Sequence, residues 1–287
     1  MSHLAQVSAS LIRPHHIPSA AEDSHQSPLQ NPRVHFRDAT ESDIDDITTL
    51  ILDAFGPNEE RQYIQPQRKL YPHYEWHCTR EIIREQWSQS SWNGTFAKVV
   101  AVSDHSTDVE KDGRKRDERV VALGIWNIYH GDGKVTSTIL DRKGLTPFSS
   151  LVNSNPTTSS IQFHDNDDDK PPFNCSLNLA MNTTREEDFF RQWNEAKHKH
   201  IDEAYEKQLY LNVLCTHPQW DGHGFAAMNL DWGTSLARSL DLPVTLIATP
   251  AGYPLYDSYG FESVSNVSIS KLDGLGSLWY EVMKYSS

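Results

Sequence analysis

The sequence predicts an α/β domain, and two observations carry that reading. In the C-terminal third, apolar strand-like runs alternate with helical patterns, the arrangement that builds a sheet covered by helices. In the N-terminal half, Phe96 to Val102 and Val120 to Tyr129 read as the two arms of an antiparallel hairpin, joined by the charged, turn-like run Asp104 to Glu118.

The elements follow in order. Residues 1–32 are rich in Ser, His, Pro and Gln without periodicity and are expected to form a disordered leader. Order is expected from Val34, where an alternating strand reaches Thr40. Ser42 reads as the N-cap of a helix that carries Ile44, Ile47, Ile51, Ala54 and Phe55 on one face and stops at Gly56-Pro57. A second helix is expected over 74–89, with Trp76, Ile83 and Trp87 as apolar anchors. The pattern is lost from Gly131 to about Phe173, which includes the acidic run Asp165 to Asp169. A helix is expected near Arg185 to Glu206. Strand Leu209–Leu214, helix Gly222–Leu240, strand Pro243–Ala248, short helix Gly252–Tyr259 and strands Phe261–Ser270 and Leu278–Lys284 complete the chain. The domain reading is therefore a leader over 1–32 and one domain over 33–287, with a polar insertion at about 131–200.

Composition bounds the function. The chain has 287 residues, 26 basic against 39 acidic, and a formal charge of -13. That balance disfavours nucleic-acid and membrane-surface partners, because both present phosphate to the protein. A mean hydropathy of -0.60 reflects polar segments diluting one globular core. No apolar run approaches the roughly 20 residues needed to span a bilayer, and the first residues lack the apolar stretch of a secretory signal. A cytoplasmic protein is expected. The three cysteines Cys78, Cys175 and Cys215 are far apart and form no CxxC pair, which argues against a disulfide framework and a zinc site. The four N-x-S/T sequons, at Asn93, Asn174, Asn182 and Asn266, are read as chance matches in a Ser/Thr-rich chain.

The chemistry concentrates in Leu214-Cys215-Thr216-His217-Pro218-Gln219-Trp220-Asp221-Gly222-His223-Gly224-Phe225-Ala226, a strand, a loop with two glycines, and a helix. The first turn of a helix offers free backbone N–H groups and the positive end of its dipole. Glycines let an anion approach that backbone without interference from Cβ. This is a pyrophosphate cradle. Gly222 to Ala227 also satisfies a GxGxxA dinucleotide pattern, but that reading wants an acidic residue ending the next strand, about 20 positions on. Asp241 precedes that strand, and the strand ends in Ala248-Thr249-Pro250, so the dinucleotide reading weakens.

Gln219 to Gly224 resembles the Q/R-x-x-G-x-G/A motif of the GNAT superfamily of acetyl-CoA-dependent N-acetyltransferases. Leu255-Tyr256-Asp257-Ser258-Tyr259-Gly260-Phe261 resembles that family's L-Y-x-x-x-G-F segment. The resemblance is clear over roughly 205–285 and topological over 33–130. It implies a central mixed, mostly antiparallel sheet, flanked by helices and splayed between its fourth and fifth strands, with acetyl-CoA as co-substrate in the splay and no metal. It implies that the backbone of Leu214, Cys215 and Thr216 pairs with the pantetheine amides. Gln219 belongs to the same motif, and the amides of Asp221, Gly222, His223, Gly224, Phe225 and Ala226 would hold the pyrophosphate. Thr249 stands where many relatives have Asn, and Gly252 where Ala is frequent.

Tyr256 matches the tyrosine that protonates the departing thiolate in many relatives, a role suited to a phenol of pKa about 10. The attacking amine must be neutral, and His217, His130, Asn212 and Glu75 are the candidates for removing its proton. Cys215 lacks an adjacent base and is not read as a nucleophile. Helix 74–89 and the insertion are expected to shape an acceptor pocket. The function expected is transfer of an acetyl group from acetyl-CoA to the primary amine of a small molecule. A protein N-acetyltransferase and a non-catalytic acyl-CoA-binding module are the alternatives.

Overall fold

The computed structural model describes residues 32–88, 94–103, 118–129, 175, 178–274 and 276–286. Residues 1–31 of the expected leader, the whole polar stretch 131–174, the loop between the hairpin arms, and His130 lie outside them.

Seven strands form one sheet in the order β1-β2-β3-β4-β5-β7-β6. They are β1 (Arg33–Asp38), β2 (Thr95–Ser103), β3 (Glu118–Tyr129), β4 (Gln208–Thr216), β5 (Val244–Ala248), β6 (Glu262–Ser270) and β7 (Ser277–Tyr285). Every neighbouring pair is antiparallel except β4 and β5. The mixed, mostly antiparallel sheet with flanking helices is the expected fold class.

Helices follow the hydrophobic patterns closely: α1 (Ile44–Phe55), α3 (Pro72–Ser88), α4 (Thr183–Lys197), α5 (Phe225–Leu240) and α6 (Tyr253–Ser258). The cap of α1 differs from the expectation. A 3-10 turn over Glu41–Asp43 precedes the helix, and its start is tied by Thr40 and Asp43. The Thr40 N–H donates to Asp43 Oδ2 at 2.7 Å, while Ser42 only meets the Thr40 hydroxyl. A helix not expected from the sequence is α2 (Glu59–Ile64), which follows Gly56-Pro57 at once. The signal was present, since Asn58 followed by two glutamates is a favourable cap and first turn.

On one face of the sheet α5 packs, through Leu230, with Trp126, Leu209, Leu246 and Met283. Gly233 lets this happen: a Cβ there would lie 2.1 Å from the Trp126 ring, so the helix settles on the indole only because that position is bare. Another cluster joins α1 to Val99, Leu123, Trp87 and Cys215. A third buries Tyr63 and Ile64 of α2 and Phe189 of α4 against Tyr280 and Val282 of β7. The described part of the expected insertion thus supplies an ordered helix to the core.

The cysteine expectation is corrected. Cys78 of α3 and Cys175 are joined by a disulfide across 97 positions, which sequence spacing alone does not reveal. Proximity, not separation along the chain, decides whether two cysteines can pair. Cys215 is the remaining free thiol.

Candidate functional site

The site begins with an irregularity in β4. Leu211 pairs with Trp126 of β3 and Val213 with Ile125, so Asn212 is one extra residue with no partner across the ladder. Such a bulge bends and twists its strand. On the opposite edge, β4 pairs with β5 only from Leu209 to Leu211, opposite Val244 to Leu246. Beyond the bulge the two strands part, and the edge of β4 from Asn212 to Thr216 lies open on that side. The splay between the fourth and fifth strands is therefore present, and Asn212 marks where it begins.

A cavity of about 400 Å³ occupies the opening. Its β4 wall is Leu211, Asn212, Val213 and Leu214. Thr249, Gly252 and Tyr256 line it from the β5–α6 side, and residues of α2, α3 and α4 close it. Tyr256 is buried, and its ring packs edge-on to Phe261. Burial, with Cys215 adding to it, raises the pKa of its phenol, which keeps the proton on the oxygen at neutral pH. Thr249 lines the cavity while its hydroxyl accepts the Gly252 N–H at 3.2 Å, so it also starts the turn into α6.

The loop after β4 runs through a short 3-10 turn over Pro218–Trp220, which includes Gln219, to the N-terminus of α5. Gly222 and Gly224 both have positive φ, 78° and 80°, and a Cβ on either would meet nothing within 4 Å. Their glycine identity therefore answers to backbone conformation, not to crowding by the protein. Asp221, Gly222, His223 and Gly224 are exposed and lead into Phe225 and Ala226 at the start of α5. The His223 Nδ1–H donates to the carbonyls of Trp220 and Asp221, 3.1 Å from each. The ring stacks on Phe225 with centroids 5.7 Å apart. The loop is thus shaped by its own contacts.

Several sequence candidates are drawn elsewhere. His217 is buried; the Gln219 N–H donates to its Nδ1, leaving Nε2 to donate to Asp53 on α1 at 3.1 Å. It braces the loop and does not line the cavity. Glu75 is buried in ion pairs with Arg61 and Arg68, a structural assignment. Cys215 points into the α1 cluster, and burial pushes its thiol up to about 12, so it is no nucleophile. Only its backbone could serve a ligand. Thr216 is half-buried, and its Oγ1 has no hydrogen-bond partner among the described residues. From α3 the cavity receives Thr79 and Ile82. The aromatic anchors Trp76 and Trp87 instead turn toward α1, where the Trp76 Nε1–H donates to Thr49.

The residues missed by sequence reasoning are Glu60, Arg61 and Gln65 on or just after α2, and Asn178 before α4. No spacing connects them to the glycine loop; only packing does. Among the described residues no cluster of His, Cys, Asp or Glu could hold a metal ion. No described helix is long and apolar enough to cross a membrane. Asp241 ends α5 in a left-handed conformation ahead of β5, and β4–β5 is the single parallel pair among the described strands, so the dinucleotide pattern has neither its acidic residue nor its parallel sheet.

No protein-family model matches the chain, and no curated protein matches it. Solved structures do. A Drosophila melanogaster polyamine N-acetyltransferase aligns over 89% of this chain and 100% of its own, at 10% identity and a TM-score of 0.46. The arylalkylamine N-acetyltransferase 2 of Aedes aegypti aligns over 88% and 98%, at 12% identity and 0.46. The histone acetyltransferase HPA2 and related acetyltransferase of Corynebacterium glutamicum aligns over 90% and 97%, at 16% identity and 0.45. The sheet itself, mixed, mostly antiparallel and open beyond Leu211 with a two-glycine loop leading to α5, is the architecture that the resemblance to the GNAT superfamily implies.

Proposed function

We propose that this chain is an N-acetyltransferase of the GNAT type, moving an acetyl group from acetyl-CoA to the primary amine of a small molecule. The observation that carries the reading is the open edge of β4 from Asn212 to Thr216, which runs straight into the glycine loop at the N-terminus of α5. A strand edge without a neighbour offers peptide N–H and C=O groups in register for another extended chain of amides, which is what pantetheine is. The backbone of Leu214, Cys215 and Thr216 would take that chain, and the amides of Asp221 to Ala226 its pyrophosphate. The cradle holds no lysine or arginine, so the anion would rest on backbone N–H groups and the helix dipole.

In this reading the amine nitrogen attacks the thioester carbonyl directly. The C–N bond forms as the C–S bond breaks, and Tyr256 gives its hydroxyl proton to the leaving sulfur. The one proton that the neutral amine nitrogen sheds as the amide forms restores the phenol. Tyr256 lines the cavity with its proton held by burial, which supports the role of acid toward a basic thiolate. The volume of the cavity, about 400 Å³, suits a small acceptor.

Calorimetric titration with acetyl-CoA, free CoA and NADH tests the coenzyme. Micromolar binding of acetyl-CoA without NADH binding supports the reading, and no acetyl-CoA binding removes it. Tyr256→Phe is expected to lower kcat by about 10²–10⁴-fold with acetyl-CoA affinity retained. Retained affinity with no turnover on any amine in the wild type would favour the non-catalytic binding module.

A further inference from the structure

The acceptor side of the cavity carries a chemical signature of its own. Glu60, Arg61, Ile64 and Gln65 all line it, one face of α2 and the residue just beyond. The Glu60 carboxylate is half-buried, and one of its oxygens accepts the Tyr280 hydroxyl at 2.9 Å. That bond fixes the group's position and leaves it room to accept again, since a carboxylate offers about four lone-pair sites. Gln65 is 6% exposed, and its Oε1 has no hydrogen-bond partner among the described residues. A buried carbonyl oxygen without a donor is costly, and here it belongs to a residue of the cavity wall. The lining also includes the aromatic side chains Phe55, Phe189, Phe190 and Trp193.

We propose that this end of the cavity seats the ammonium group of a monoamine with an aromatic or bulky apolar body, held between Glu60 and the Oε1 of Gln65. The assignment rests on the acetyltransferase reading for its consequence, turnover, but stands on its own geometry for binding. Ammonium supplies three donors and no acceptor, which is what a carboxylate and an orphaned amide oxygen require. A carboxylate carried beside the ammonium would be set against Glu60, a like-charge contact. Arg61, the basic residue among the described lining side chains, donates its Nε–H to Glu75 at 3.1 Å. Amino acids are therefore poor ligands. A short diamine lacks the apolar body that would cover the aromatic lining and brings a second charge that must be desolvated. Glu186 on α4 also borders the cavity. Burial raises the Glu60 pKa, so this carboxylate is also better matched to receive a proton from the bound ammonium than an exposed one.

The test is calorimetry on the full chain with three probes: 2-phenylethylamine, phenylalanine and 1,4-diaminobutane, each with and without acetyl-CoA. Phenylethylamine is expected to bind at least about tenfold more tightly than either other probe. Glu60→Gln is expected to weaken phenylethylamine by about 30-fold, and Gln65→Met by about fivefold, with acetyl-CoA affinity unchanged in both. Glu186→Gln is expected to change phenylethylamine affinity by less than about threefold. Tighter binding of phenylalanine or diaminobutane would overturn the proposal, as would an unaffected Glu60→Gln variant that still binds acetyl-CoA normally. Acetyl-CoA binding without phenylethylamine binding sinks this proposal alone. Phenylethylamine binding without acetyl-CoA binding supports the seat and sinks the acetyltransferase reading instead.

Discussion

The two halves of β4 have the same sequence character and different work. From Leu209 to Leu211 the strand is paired on both edges, to β3 and to β5, and its side chains are almost fully buried. From Val213 to Thr216 it is paired to β3 alone, Asn212 is paired to neither neighbour, and these residues are exposed or half-buried except Cys215. One unpaired residue separates a half closed on both edges from a half with one edge open. A strand edge left open in the middle of a sheet is an aggregation hazard unless something covers it. Here the cavity walls from α2, α3 and α4 shield it, and the coenzyme of the proposed reaction would complete it. Buried backbone polar groups need partners, so a ligand made of amides suits the edge.

The largest test of that contrast is deletion of Asn212. Trp126 would still face Leu211 and Ile125 would still face Val213, so the ladder to β3 becomes regular and side chains keep their faces. The expected outcome is a folded protein, judged by far-UV circular dichroism, in which β4 lies flatter against β5 and acetyl-CoA binds at least about 100-fold more weakly. Undiminished affinity would mean the bulge is incidental to the opening.

A smaller effect sharpens the same comparison. Leu211→Ala in the paired half is expected to cost about 2–4 kcal/mol in urea unfolding, because Leu211 is buried in the α5 cluster. Leu214→Ala in the open half is expected to cost about 1 kcal/mol, since that side chain is already partly exposed. Equal costs would show that the second half packs into the core as fully as the first.

The smallest expected effect concerns the loop that follows. Gly224→Ala forces a side chain into a backbone with φ of 80°, at about 1–2 kcal/mol of strain. No protein atom stands in the way, so the cost is conformational, and thermal unfolding should register it as a modest fall in Tm. A greater loss of acetyl-CoA affinity than of stability is expected, because the strain falls on the amides that would hold the pyrophosphate.

The strand, glycine loop and helix start of the proposed coenzyme side were legible because they are contiguous. A strand, two glycines and a helix start occupy Leu214 to Ala226, and local rules for turns and helix ends apply directly. The same holds for most elements, whose hydrophobic periods located them within a few residues. The cavity walls from α2, α3 and α4 were not legible, for three reasons of the same kind. The short helix α2 is too brief to show periodicity, the disulfide joins Cys78 to Cys175 across 97 positions, and Phe189 meets Tyr280 only through packing. His217 misled for the opposite reason. It sits beside the motif in sequence, but the adjacent fold turns its ring away to Asp53.

What the sequence by itself determined is the series of strands and helices and the glycine loop at the head of α5, since hydrophobic period and backbone conformation are local properties. What tertiary structure alone decided is which edge of β4 stays open, which carboxylate faces the cavity, and which cysteines meet. Those depend on a one-residue mismatch between two strands and on surfaces brought together from α2, α3 and α4, and no stretch of chain encodes them alone.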